Sequence, residues 1–248
     1  MNTTTKRLVA FSGGIDSTAL ALLEPDATPI FTDTGWEFPE LYAHIDRFQE
    51  VTGREVVRLK HIRTLPEYIE DRSFMPNHGA RFCTRIFKID VLNKFIKDAG
   101  EVELLIGLRA DEEHRAGNLT EMEGLTIRYP LRERGIDRVG CVEVCLAHDL
   151  LPRYPVYMAR GGCVGCFYKR RSEVLAMSEL VPDVVDELQS LEESVQDVRG
   201  DFFHMFPNVG MSIRELRAQS RLFDTSELYR ETADSSDMGV ACGLFCRR

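Results

Sequence analysis

Phe11-Ser12-Gly13-Gly14-Ile15-Asp16-Ser17-Thr18 is the stretch that decides how this 248-residue chain is read. It follows the apolar run Leu8-Val9-Ala10-Phe11 and leads into Ala19-Leu20-Ala21-Leu22-Leu23, so a strand ends and a helix begins within it. Glycines without a Cβ let successive N–H groups point at one spot, and the helix that follows adds its positive end to that spot. The result is a phosphate cradle, to which Ser12, Ser17 and Thr18 add hydroxyl donors. Asp16 is out of place in an anion site unless a helix start or a cation uses it, and a magnesium ion escorting a nucleotide supplies that cation. The stretch lacks the Gly-Lys-Ser/Thr end of the P-loop and the three spaced glycines of the dinucleotide pattern. The plainer alternative is a glycine turn with Asp16 or Ser17 as helix cap.

Working outward, strand patterns cover Arg7 to Phe11, Thr28 to Thr32, Glu55 to Leu59 and Val102 to Ile106, with helical segments around 17–24, 37–52 and 84–99. This alternation predicts an α/β fold with an open parallel sheet, in which ligands gather at the carboxyl ends of the strands. The second strand runs into Thr32-Asp33-Thr34-Gly35-Trp36-Glu37-Phe38-Pro39-Glu40 and the fourth into Gly107-Leu108-Arg109-Ala110-Asp111-Glu112-Glu113-His114-Arg115. Asp33 and Thr34 suit a ribose, an adenine edge or magnesium, or else cap the next helix. Arg109 and Arg115 suit phosphate or sulfate, or else a surface network with Asp111, Glu112 and Glu113.

Lys and Arg total 31 against 40 Asp and Glu, a formal charge of −9, so the chain as a whole repels nucleic acid. Only local patches, Lys169-Arg170-Arg171 and Arg247-Arg248, suit a polyanion, and short runs of this kind read first as solvated surface. Neither an export signal nor a membrane span is visible, which predicts a cytoplasmic protein. The chain is continuous to about residue 170. Residues 172–198 then carry helical spacing and 231–240 a polar connection, giving a nucleotide-binding domain over 1–170 and a helical extension with a cysteine-bearing tail over 171–248.

Three motifs together resemble the phosphoadenosine phosphosulfate (PAPS) reductase family of the PP-loop superfamily. Ser12-Gly13-Gly14-Ile15-Asp16-Ser17 resembles the PP-loop of ATP pyrophosphatases. Asp33-Thr34-Gly35 with Phe38-Pro39-Glu40 is similar to the family's Asp-Thr-Gly-x-x-Phe-Pro-Glu segment, and Arg81-Phe82-Cys83-Thr84-Arg85-Ile86-Phe87-Lys88 to its Arg-x-Cys-x-x-x-x-Lys segment. Gly107-Leu108-Arg109 begins its Gly-x-Arg loop, although Arg115 lies one position closer to Arg109 than the usual second arginine. Tyr129-Pro130-Leu131, Tyr154-Pro155-Val156-Tyr157 and Gly162-Cys163 extend the likeness, which covers roughly residues 7–170. The resemblance implies a Rossmann-like adenine nucleotide α-hydrolase fold, with the mostly helical C-terminal region following it. Sulfonucleotide reductases of the family often have a degraded first loop; the intact loop here resembles members that adenylate a substrate and release pyrophosphate.

Seven cysteines stand at 83, 141, 145, 163, 166, 242 and 246. The close pairs Cys163/Cys166 and Cys242/Cys246 are four soft ligands that suit zinc or an iron–sulfur cluster. Cys141 and Cys145 read as buried positions on a helix face, with a reserve role as ligands. In the adenosine phosphosulfate reductases of the family a Cys-Cys pair and a Cys-x-x-Cys pair hold a four-iron cluster. Cys83, Cys163 and Cys166 match three of those ligands, with Thr84 in the fourth place, which implies a cluster with one open iron for sulfide or substrate sulfur. Ala241-Cys242-Gly243-Leu244 partly resembles the family's nucleophilic tail, but Phe245 replaces its His and Cys246 follows.

These readings predict an ATP- and magnesium-using enzyme that adenylates a substrate in sulfur transfer or related redox chemistry, with Asp16, Arg109, Cys83 and Cys242 as reacting groups. Ser12, Gly13, Gly14, Ser17, Asp33, Thr34 and Gly107 would hold the adenine nucleotide, and Cys83, Cys163, Cys166, Cys242 and Cys246 an iron–sulfur cluster or zinc. The alternatives are a thiol-dependent sulfonucleotide reductase and a nucleotide-binding subunit whose chemistry belongs to a partner protein. A nucleic acid and a small molecule are equally admissible as sulfur acceptor.

Overall fold

Alternate residues of each central strand are apolar on both faces, which is the pattern of a parallel sheet covered on both sides. The computed structural model, which describes residues 5–112, 123–159 and 162–220, forms that sheet. Its strands are β1 (Lys6–Ala10), β2 (Thr28–Asp33), β3 (Val57–Lys60), β4 (Val102–Leu105) and β5 (Leu125–Arg128), all parallel in the order β3-β2-β1-β4-β5. Leu8, Ile30 and Leu104 point to one face and bury Leu92 and Ile96 of α5 (Val91–Ala99). Val9, Phe31 and Leu105 point to the other, where α1 (Ile15–Leu23), α2 (Pro39–Thr52) and α7 (Arg138–Ala147) cover them. The strand order reverses between β1 and β4, and the crevice outside the carboxyl ends at such a reversal is where these sheets take ligands.

Local signals fix the helices. Pro39 opens α2 and Gly53, at φ 66°, closes it in the left-handed conformation. Thr64 and Glu67 form a capping box for α3 (Leu65–Arg72), a helix that the hydrophobic pattern alone did not announce. The expected helix at 84–99 is a composite: α4 (Phe82–Thr84), a π-helical turn over Arg85–Asp90, and α5. The strand β5 was also not anticipated. It is a short edge strand whose residues are at most half-buried, so its sequence carries no strong apolar alternation.

Between β5 and α7 lies the short α6 (Pro130–Glu133), and the C-terminal part adds α8 (Arg171–Leu180), α9 (Pro182–Arg199) and α10 (Ile213–Ser220). Their apolar faces join the cluster that begins at Val9, through Val174, Leu188, Val195 and Leu216, so a single core crosses residue 170. These helices also hold the 73–81 loop: Arg199 donates to the carbonyls of Ser73 (3.0 Å) and Arg72 (3.2 Å), and His78 Nε2 meets Asn208 Oδ1 at 2.9 Å. Among the described residues no helix is long and apolar enough to cross a membrane.

Glu192 on α9 is a buried carboxylate at 1% exposure. Its two oxygens accept the backbone N–H groups of Met205 and Ile213, each at 2.7 Å, and so tie the start of α10 to α9. Removing it leaves two buried donors unsatisfied, each costing about 1–3 kcal/mol. Glu192→Ala should therefore lower the unfolding free energy by about 2–4 kcal/mol in urea titrations, with Glu192→Gln losing less. Equal stability of all three chains would show that the link contributes nothing.

Candidate functional site

The first loop leaves β1 at the reversal point and is held in its curve from three sides. Gly13 has φ +75°, and a Cβ there would lie 2.4 Å from Leu41 Cδ1. Its carbonyl accepts the Tyr154 hydroxyl at 2.9 Å. Ser17 Oγ donates to the Gly14 carbonyl (3.0 Å), accepts the Ser12 N–H (3.1 Å) and lies 3.1 Å from Ser12 Oγ. Gly107, at the end of β4, passes so close to α1 that a Cβ would stand 3.2 Å from the Asp16 carbonyl. Thr18, expected to offer its hydroxyl to the phosphate, is fully buried and instead meets His44 Nε2 at 3.0 Å.

One cavity extends from this loop. Ser12, Gly14, Asp16, Ser17, Thr34 and Gly107 line one part of it, and Cys83, Lys88, Cys163 and Cys166 another. The carboxyl ends of β1, β2 and β4 supply apolar wall between them through Phe11, Phe31 and Ile106. Cysteines distant in sequence thus share a cavity with the glycine loop.

Two arrangements bring them there. The widened π turn after Thr84 draws residues five apart toward one face, so that Cys83 and Lys88 both reach the cavity. The segment carrying Cys163 pairs with the loop after β2: the Phe38 N–H donates to the Gly162 carbonyl (2.6 Å) and the Val164 N–H to the Trp36 carbonyl (2.8 Å). Glu37 stands opposite Cys163 in that pairing. Gly165 has no side chain because Trp36 occupies the space, its ring carbon Cη2 lying 2.0 Å from where a Cβ would be.

Asp33, expected to face the nucleotide, is turned into the protein. Its Oδ1 accepts the Gly35 N–H (2.8 Å) and the Tyr42 hydroxyl (2.7 Å), and Lys60 Nζ lies 3.1 Å from Oδ2. Its carboxylate shapes the loop that presents Thr34 to the cavity. Thr34 Oγ1 donates to Glu37 Oε1 at 2.9 Å. Glu37 was not singled out in the sequence; burial pushes its carboxyl up, and the nearby Lys88 charge and the Thr34 hydrogen bond pull it back.

Arg109 forms ion pairs with Asp16 (2.8 Å) and Asp111 (2.9 Å), with Glu112 at 3.9 Å. Burial works against its charge, but these three carboxylates hold its pKa above the ordinary range. Asp16 also receives Arg138 at 3.4 Å, from the first turn of α7. Burial raises the Asp16 carboxyl and the two guanidiniums lower it. Part of the countercharge assigned to magnesium is therefore built into the chain. No local sequence pattern marks Arg138; only the Asp137 cap, accepting the Gly140 N–H at 2.9 Å, fixes where α7 begins.

Among the described residues no group of three or more His, Cys, Asp or Glu side chains is gathered to hold a metal ion. Cys83, Cys163 and Cys166 line the same cavity as soft donors. Cys141 and Cys145 are fully buried against α1, where burial pushes their thiols up to about 12, consistent with a packing role. Lys169 corrects the surface reading of the basic triplet. It is 0% exposed, its Nζ donates to the Tyr157 carbonyl (2.5 Å) and lies 4.9 Å from the centre of the Phe38 ring, and Glu173 is the charge beside it. Cys242, Cys246, Arg115, Arg247, Arg248 and the 231–240 connection lie outside the described residues.

Residues 6–124 match the family model of the phosphoadenosine phosphosulfate reductase domain. An uncharacterized protein of Methanocaldococcus jannaschii is 32% identical over an alignment 178 residues long that covers 58% of this chain. The match spans only 36% of that protein's length. Among solved structures, the phosphate complex of phosphoadenylyl-sulfate (PAPS) reductase from Candida auris is similar over 60% of this chain and 74% of its own, at 13% identity and a TM-score of 0.47.

His44, beneath the loop, gives the site a pH signature. Burial, aided by Arg47, pushes its pKa down to about 4. A histidine with a folded-state pKa below its unfolded value of about 6.5 stabilises the fold above that pH, and the contribution is lost as pH falls towards 4. His44→Gln keeps a hydrogen-bonding partner for Thr18 without titrating. Wild type should lose up to about 3 kcal/mol more stability than this variant between about pH 7 and 4. Parallel stability curves for the two would contradict it.

Proposed function

We propose that the chain is an ATP-using enzyme that adenylates an acceptor with release of pyrophosphate, in sulfur transfer or related redox chemistry. The observation that supports this most is the single cavity lined by the intact loop and by Cys83, Cys163 and Cys166. In this scheme the backbone N–H groups of Gly13 and Gly14, with Ser12 and Ser17, hold the departing pyrophosphate. Thr34 and Gly107 border the nucleotide, and Asp33 positions Thr34. Arg109 exchanges a carboxylate for the phosphates and stabilises charge developing at phosphorus. Asp16 is the loop carboxylate that would hold magnesium, which when bound supplies countercharge to the phosphates.

Cys83, Cys163 and Cys166, with Cys242 and Cys246 as further donors, would hold an iron–sulfur cluster or zinc. A bound cluster would supply redox or sulfur-carrying chemistry. Lys88 places positive charge on the same wall, where it favours anionic sulfur.

A second reading is a thiol-dependent sulfonucleotide reductase, favoured by the family domain together with the Cys242-Gly243-Leu244 tail. Two assays separate them. Full-length protein given ATP, magnesium and candidate acceptors should release pyrophosphate, and Arg109→Ala should lower kcat by about a hundredfold or more. Tight ATP binding without pyrophosphate from any acceptor would contradict this. With a dithiol present to resolve the enzyme S-sulfonate into a disulfide and sulfite, sulfite release from a sulfonucleotide that disappears in Cys242→Ala would then assign the reductase reading.

A further inference from the structure

Arg81 stands two residues before the cavity-lining Cys83 and differs from the other arginines near the site. Arg109 and Arg138 are matched by carboxylates, whereas the Nε and Nη2 atoms of Arg81 are buried and have no hydrogen-bond partner. Leaving charged donors buried and unmatched is costly, and native proteins rarely do so without a reason. Nε and Nη2 together form the side-on edge of the guanidinium, whose two parallel N–H groups match two oxygens of one oxoanion.

The edge is held in place. The Arg81 guanidinium lies over the Tyr168 ring at 5.7 Å. Tyr168 and Phe167 pack against His78, at 5.1 and 5.3 Å between ring centres. Asn208 ties this group together, meeting His78 and donating to the Phe167 carbonyl at 3.4 Å. The Arg81 carbonyl accepts the N–H groups of Thr84 and Arg85, which fixes its backbone at the start of α4. A preorganised fork loses little entropy when it captures a ligand.

We propose that this edge of Arg81 is an oxoanion subsite near the cysteines, separate from the phosphate cradle, and that it recognises a phosphate, sulfonate or carboxylate group of the second substrate. Its place in catalysis rests on the adenylation reading; the binding site stands on the unmatched edge alone. No covalent step is assigned to Arg81, which acts as a binding residue.

The test uses the full-length chain with the first loop saturated by ATP and magnesium, titrated by calorimetry with inorganic sulfate, inorganic phosphate or acetate. At least one anion should bind saturably, and both Arg81→Met and Arg81→Lys should weaken it by about tenfold or more, since lysine lacks the fork. A sulfate or phosphate response identifies a tetrahedral group, an acetate response a carboxylate. The ligand-free Arg81→Met chain should melt no lower than wild type, because it loses a buried donor edge that had no partner. Anion affinities identical in wild type and both variants would overturn the proposal. So would a large loss of stability in Arg81→Met that no anion accentuates in wild type. Arg81-dependent binding without pyrophosphate release would instead remove the adenylation reading and leave the subsite standing.

Discussion

Two backbone hydrogen bonds, from Phe38 to the Gly162 carbonyl and from Val164 to the Trp36 carbonyl, carry the arrangement of the site. They fasten a segment from late in the chain to the loop after β2 and so set Cys163 and Cys166 in the cavity that the glycine loop lines. The fastening requires glycine at 165, because the Trp36 ring fills the volume that any side chain would need. Without this pairing the glycine loop would stand at the sheet reversal with Cys83 near it but without the segment that carries Cys163 and Cys166.

Charge is distributed to match. Around the loop, Asp16 shares Arg109 and Arg138, so positive groups wait beside the cradle while matched by carboxylates. Around the cysteines, Lys88 reaches the cavity, Lys169 is buried behind it with Glu173, and Arg81 offers an unmatched edge. The C-terminal helices contribute through Asn208 and Arg199, which hold the 73–81 loop and the aromatic group beneath it. They are part of the site's support as well as of the core.

The loop and the parallel sheet were legible because each rests on local rules: glycines at a strand end, and alternation of strands and helices. The five-residue spacing from Cys83 to Lys88 was legible only as a motif; its physical meaning is the π turn. The capping box of Thr64 and Glu67 was a readable helix signal that the apolar pattern obscured. Asp33 and Lys169 were misplaced for the same reason. Charged residues are expected at ligands or in water, yet here Tyr42 and Lys60 satisfy one and the Tyr157 carbonyl and Glu173 the other, and only tertiary structure supplies those partners. Arg138 comes from a helix distant in sequence, and nothing local announces it.

The central claim is that one cavity joins the nucleotide to the cysteines. It is tested most directly by measuring, by mass spectrometry, the rates at which iodoacetamide modifies Cys83 and Cys163 in the metal-free, full-length chain with and without saturating ATP and magnesium. Shared occupancy predicts that nucleotide slows both by about tenfold or more, as for any group covered by a ligand present well above its dissociation constant. Cys141 and Cys145 should stay unreactive in either case, because buried high-pKa thiols are inert. Unchanged rates at Cys83 and Cys163 with ATP bound would contradict the account.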